Sequence, residues 1–151
     1  MKKFGQVEPN HLSAQRTGQI YAQLPAAVQL ENGMFAKYDY EAGKVNLTGD
    51  GEWLLVYNEV KVYDSRESYN DFVMPAGGVP RLFKTNVGDI YTTNTFATGV
   101  TIGEIEVGDE FEPGSDGYLD EKGESPEMIW KAVKVCTMPD GLPGVKLQRI
   151  K

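Results

Sequence analysis

The sequence holds one cysteine, Cys136, and one histidine, His11, in 151 residues. A lone cysteine closes no intrachain disulfide, and a lone histidine cannot supply a His-based metal cluster, so no metal or other cofactor is expected. Long apolar runs are missing as well. Stretches such as Trp53 to Tyr57 fall far short of the roughly 20 residues that cross a bilayer, and no membrane partner is expected. Positive charge is scarce, 15 Lys and Arg against 22 Asp and Glu for a net charge of minus 7. That balance leaves few cations to neutralise phosphates, which argues against a nucleic-acid partner. Met1-Lys2-Lys3 has the charge of a signal-peptide start, but Gly5, Gln6, Glu8, Pro9 and Asn10 stand where its apolar segment belongs, so a cytoplasmic protein is expected.

What is present suits a folded domain. Hydrophobic residues make up 40% and charged residues 25%, close to globular averages. The 17 glycines and 8 prolines are scattered, which favours short strands joined by turns over long helices. The expected fold is all-β: a compact β-barrel or β-sandwich of short antiparallel strands with an extended N-terminal arm and little helix.

The arm is residues 1–28 and the β domain residues 29–151. In the arm Gln6, Gln15, Gln19 and Gln23 mix with apolar residues at no sustained period. Lys2, Lys3 and Arg16 against Glu8 give it plus 2, opposite in sign to the whole chain. Gly5, Pro9 and Gly18 disfavour an isolated helix. The pattern predicts a strap that orders on a neighbouring subunit through Phe4, Val7, Leu12, Arg16, Ile20 and Tyr21. The competing expectation is that the arm adds a strand to its own domain.

Beyond Val28 the turn signals become regular. Asn32-Gly33 predicts a two-residue hairpin between residues 28–31 and 34–40, and Glu41-Ala42-Gly43 a second one into Lys44-Val45-Asn46-Leu47. Trp53–Tyr57 and Val60–Tyr63 predict a central strand buried on both faces. Asp64-Ser65-Arg66-Glu67 has capping-box spacing for a short helical turn over 65–72. Pro75, Gly77, Gly78 and Pro80 predict a joint near 75–80 that could separate two sub-barrels. Val87-Gly88-Asp89-Ile90-Tyr91 is echoed 20 residues later by Val107-Gly108-Asp109-Glu110-Phe111, which implies a repeated turn. The expected core is Phe35, Trp53, Leu55, Val56, Val60, Val62, Ile102, Ile129, Trp130, Val133 and Val135.

Three kinds of chemistry compete with plainer roles for these residues. Between Glu104 and Glu127 ten acids face Lys122 alone, a local charge of minus 9, yet the ligand spacing of an EF-hand loop is absent and solvated turns fit better. Paired carboxylates for glycoside hydrolysis need an apolar pocket beside one acid, and none is signalled. The serines lie in no nucleophile-elbow frame, and Cys136 ends an apolar strand pattern, which suits a buried, unreactive thiol. A sugar-binding platform would draw on an exposed Trp53 or Trp130.

Four segments together carry a resemblance: Phe4-Gly5-Gln6-Val7-Glu8-Pro9-Asn10-His11-Leu12-Ser13-Ala14-Gln15; Leu30-Glu31-Asn32-Gly33-Met34-Phe35-Ala36-Lys37-Tyr38-Asp39-Tyr40; Gly51-Glu52-Trp53-Leu54-Leu55-Val56-Tyr57-Asn58-Glu59-Val60; and Lys84-Thr85-Asn86-Val87-Gly88-Asp89-Ile90-Tyr91-Thr92-Thr93-Asn94. They resemble small structural proteins of tailed bacteriophages, of the head decoration or head fiber kind. The resemblance implies a virion protein without enzymatic activity, assembled in the host cytoplasm, whose partners are the major capsid protein and copies of itself. The alternatives are a carbohydrate-binding β module with a surface glycan as partner, and a small acid-dependent hydrolase.

Overall fold

The computed structural model describes residues 4–12, 23–60 and 72–151. Among them are ten strands: β1 Val7–His11, β2 Phe35–Asp39, β3 Lys44–Asn46, β4 Asp50–Val56, β5 Leu82–Phe83, β6 Ile90–Thr93, β7 Glu110–Pro113, β8 Leu119–Glu121, β9 Trp130–Thr137 and β10 Pro143–Arg149. The one helical element among the described residues is a single 3-10 turn, Ile102–Glu104. The strands form two antiparallel sheets, one of six strands in the order β1-β6-β10-β9-β7-β8 and one of four in the order β3-β2-β4-β5. The fold is all-β, as the turn-rich, aperiodic sequence predicts.

The sheets share a core. Phe35, Trp53 and Leu55 of the four-stranded sheet pack with Tyr91, Phe111, Trp130, Val145 and Leu147 of the six-stranded one. Trp130 lies at its centre, fully buried, with the Tyr91 ring edge-on at 4.8 Å and Phe35 at 5.9 Å between centroids. Alternation along β4 sends Leu54 and Val56 to the opposite face, where they meet Leu30, Met34, Ala36, Val45 and Leu82 in a second cluster. β4 is therefore central and buried on both faces where the Trp53–Tyr57 run predicts, but the strand ends at Val56, Val60 is in no strand, and residues 61–63 lie outside the described residues. The turn into Lys44 also forms as expected, with Asp39 opposite Lys44 and the Ala42 N–H donating to Asp39 Oδ1 at 3.0 Å.

Several expectations are corrected. Asn32-Gly33 does turn the chain, with the Met34 N–H donating to the Glu31 carbonyl at 3.2 Å, but it joins no two-residue hairpin. Among the described residues only glycines have positive φ, so Asn32 cannot take the first position of a type I′ turn, and Gly33 at φ 94° fits a type II turn instead. Leu30 bridges to Met74 rather than to β2. Pro25 and Ala27 exchange backbone hydrogen bonds with Val45, and Ala26 with Gly77 and Gly78, so residues 23–28 belong to the domain and the stretch near 75–80 is tied to them. The proposed helical turn falls almost wholly on 61–71, and Val62 with it, outside the described residues.

The core prediction holds for Phe35, Trp53, Leu55, Val56 and Trp130, whereas Val60, Ile102 and Ile129 are only half-buried. Val133 and Val135 are 37% and 42% exposed. The reason is local. β7 pairs with β9 only at Trp130 and Lys131, and β9 skips register between Ala132 and Lys134, so the hairpin runs on past the strand that would cover it.

Candidate functional site

The arm residues divide into three groups. Val7 to His11 form β1, paired antiparallel with β6 through Val7 opposite Thr93 and His11 opposite Ile90. Val7 packs half-buried against the core, and Leu12 is buried within it at 1% exposure. Phe4 is half-buried, while Arg16, Ile20 and Tyr21 lie outside the described residues. Leu12 is thus spent inside its own domain and is not available to a partner. The physical reason is that β6 offers an open hydrogen-bonding edge next to an apolar pocket, and the nearest strand in reach is the chain's own N-terminal segment.

A buried polar network, which the sequence did not signal, fastens this segment. Glu31, just 9% exposed, accepts the Gly5 N–H on Oε2 and the Tyr118 hydroxyl on Oε1. Gln6 N–H donates to Asn94 Oδ1 at 2.9 Å, and Thr93 Oγ1 donates to the Gln6 carbonyl at 2.7 Å. Thr95 Oγ1 donates to the Asn32 carbonyl at 2.6 Å, and Asn58 N–H to Asn32 Oδ1 at 2.7 Å. A Cβ on Gly5 would collide with Thr95 and the Asn32 carbonyl, so only glycine lets the backbone approach so closely. Burial, and then the bond to Glu31, raise the Tyr118 phenol above its ordinary pKa, which keeps it a donor. Glu31, Asn32 and Asn58 sit among turn residues, where polar side chains ordinarily face water. Only the return of residues 93–95 and 118 encloses them.

The acidic block resolves into turns and ion pairs. Asp109 Oδ2 accepts Glu106 N–H at 2.9 Å, Asp116 Oδ1 accepts Tyr118 N–H at 3.1 Å, and Asp120 Oδ1 accepts Glu121 N–H at 2.8 Å. Glu112 accepts Gly123 N–H at 3.3 Å, and Glu127 pairs with Lys37 at 3.3 Å. Glu110 pairs with Lys122 at 2.5 Å and with Lys131 at 3.7 Å. The hydrogen bond from Lys122 is the main reason its carboxyl is held below the usual range. A recess of about 620 Å³ is lined there by Val100, Ile105 and Phe111 together with Glu104, Glu110 and Glu121. Among the described residues no group of three or more His, Cys, Asp or Glu side chains is arranged to hold a metal ion.

The repeated Gly-Asp turn is real in three dimensions. Asp89 and Asp109 each accept, through Oδ2, the N–H three residues back, from Asn86 at 3.0 Å and Glu106 at 2.9 Å. Gly88 and Gly108 take φ 99° and 104°. Gly88 and Asp89 exchange backbone hydrogen bonds with Arg149, and Gly108 and Asp109 do the same with Ala132. Both units start an inward strand, β6 or β7, and leave Val87 and Val107 each 67% exposed at the turn tip.

Neither tryptophan presents a ring face to solvent. Trp130 is fully buried and Trp53 is 9% exposed, with Lys37 Nζ 4.6 Å from its ring centroid. Among the described residues the exposed aromatic is instead Tyr40, stacked on Tyr38 at 5.5 Å beside a recess of about 310 Å³ that Asp50, Glu52 and Lys84 also line. His11 is exposed at the end of β1. Cys136 is half-buried near the end of β9 rather than in the core. No helix among the described residues is long and apolar enough to cross a membrane.

Comparison with protein-family models, curated proteins and solved structures finds no match to this chain.

Proposed function

We propose that this chain is a structural subunit of a tailed-bacteriophage particle, a capsid-associated decoration or head fiber protein that acts by binding proteins and carries out no catalysis. Its partners in this reading are the major capsid protein and copies of itself, met in the host cytoplasm during assembly, and its role is to brace the shell or to present an outer surface. The four resembling segments motivate the reading. The observation that carries it is where the polar and apolar groups are spent. Six of the ten acids between Glu104 and Glu127 hold turns or ion pairs, while apolar residues are left at strand edges and turn tips, at Val107, Val133 and Val135. Open strand edges bearing apolar side chains suit main-chain pairing with another protein. The test is co-sedimentation of the purified chain with assembled heads lacking it, read by electron microscopy. Saturable binding at fixed lattice positions supports the reading, and absence of binding overturns it.

A glycan-binding reading now falls on Tyr40, 68% exposed, rather than on Trp53 or Trp130. A glycan array with wild type and Tyr40→Ala decides it: binding lost in the variant supports this reading.

A further inference from the structure

Tyr38 and Leu54 belong to the second cluster of buried residues, but the sheet face they share is not covered to its end. Tyr40 is 68% exposed, with one side of its ring on Tyr38. The recess of about 310 Å³ beside it is completed by Asp50 and Glu52 of β4 and by Lys84, which follows β5. Strand register explains the gathering. Tyr38 lies directly opposite Asp50, and β5 pairs with β4 only at Leu55 and Val56, which leaves Asp50 to Leu54 without a strand on that side among the described residues.

The charged groups in the recess are differently engaged. Glu52 Oε1 lies 3.5 Å from Lys84 Nζ and Oε2 lies 4.0 Å from Arg149, so this carboxylate is neutralised. The Asp50 carboxylate makes no hydrogen bond or ion pair among the described residues. A lysine ammonium has three N–H donors, so the ion pair with Glu52 leaves Lys84 able to donate to a ligand. A free carboxylate and an ammonium thus border one small space. An anion entering it would face Asp50 and a cation would face Lys84, each at a like-charge cost. A hydroxyl suits both, since it donates to a carboxylate and accepts from an ammonium. The open side of the Tyr40 ring next to them favours an apolar surface. A pyranose combines neighbouring hydroxyls with a flat C–H face and no charge.

We infer that this recess binds a neutral sugar ring, with its C–H face on Tyr40 and its hydroxyls donating to Asp50 and accepting from Lys84. The volume lies at the lower end for ligand sites and suits one ring of a longer glycan. The inference deepens the glycan-binding reading of Tyr40 given above, on which it rests, by naming the class of sugar.

Saturation-transfer difference NMR of the purified full chain tests it. The probes are neutral oligosaccharides of glucose, galactose, mannose and N-acetylglucosamine, set beside sialyllactose, a heparin hexasaccharide and a chitosan oligomer as charged ones. At least one neutral probe is expected to bind with a Kd of about 1 mM, as weak as a single ring allows. Its affinity should not change between about 0.05 and 0.5 M salt. Tyr40→Ala, Asp50→Ala and Lys84→Ala should each weaken it at least about tenfold while keeping the wild-type circular dichroism spectrum, and Tyr40→Phe should retain it. Charged probes that bind through Tyr40 while no neutral probe does overturn the inference and leave the glycan-binding reading standing. Absence of binding by every probe, or binding that survives Tyr40→Ala, overturns both.

Discussion

The backbone N–H of Gly5 donates to the buried carboxylate of Glu31, 26 residues further along the chain. That bond, together with the close approach of Gly5 to Thr95, ties the N-terminal segment into the domain. Glu31→Ala leaves the Gly5 amide and the Tyr118 hydroxyl without this partner, at a cost of about 1–3 kcal/mol for the buried amide and less for the half-buried hydroxyl, which water can reach. Gly5→Ala is expected to lower stability by about 1–3 kcal/mol through overpacking. Removing residues 1–12 uncovers the β6 edge and takes Leu12 from the core, so the truncated chain should unfold at clearly lower urea. An unchanged midpoint would show that β1 is not part of the cooperative unit.

Tyr91 is fully buried, and its hydroxyl has no hydrogen-bond partner among the described residues. Burial raises its pKa well above the ordinary value. At neutral pH Tyr91→Phe should be neutral or stabilising by about 1 kcal/mol, since it removes an unpaired polar atom and keeps the ring on Trp130. The raised pKa gives a stability contribution that is complete below the unfolded value of about 10 and is lost as pH rises above it. Urea unfolding from neutral to alkaline pH should therefore decline less steeply in the variant. A loss of stability at neutral pH would mean that the hydroxyl is bonded after all.

Trp130 and Val133 are three residues apart on one strand, yet they should respond differently. Trp130→Ala opens a cavity at the centre of the shared core and should cost about 3–5 kcal/mol. Val133→Ala, on the open edge, should stay within about 1 kcal/mol in dilute protein. Chemical denaturation of both variants measures the contrast. Equal losses would mean that the β9 edge is covered.

Glu110 is half-buried at the start of β7, with its pKa lowered mainly by the hydrogen bond from Lys122. A lowered folded-state pKa contributes stability above the unfolded carboxylate value of about 4.3, which is lost as pH falls through the folded value. Glu110→Gln should flatten the acid limb of stability against pH, and added salt should shrink the difference. Identical acid limbs for both proteins would show that the ion pair does not persist in solution.

Much of this molecule is set by local sequence. The absence of a sustained helical period, the aromatic and β-branched run at Trp53–Val56, and the Gly-Asp turns at 88–89 and 108–109 act over a few residues, through alternation, positive φ at glycine and a carboxylate capping its own turn. These features made the all-β class, the buried β4 and the repeated turn legible in advance. Tertiary structure decided the rest, because the deciding partners are distant in sequence. Asn32-Gly33 fits a hairpin locally, but Asn32 is held by Asn58 and Thr95. Residues 7–12 lack the composition of a core strand, but β6 supplies a free edge that backbone groups of almost any sequence can pair with. Val133 and Val135 alternate like core residues, but burial requires a neighbour, and β7 ends before it reaches them. One dimension encodes which way a side chain points, and the packing of remote strands decides whether anything is there to meet it.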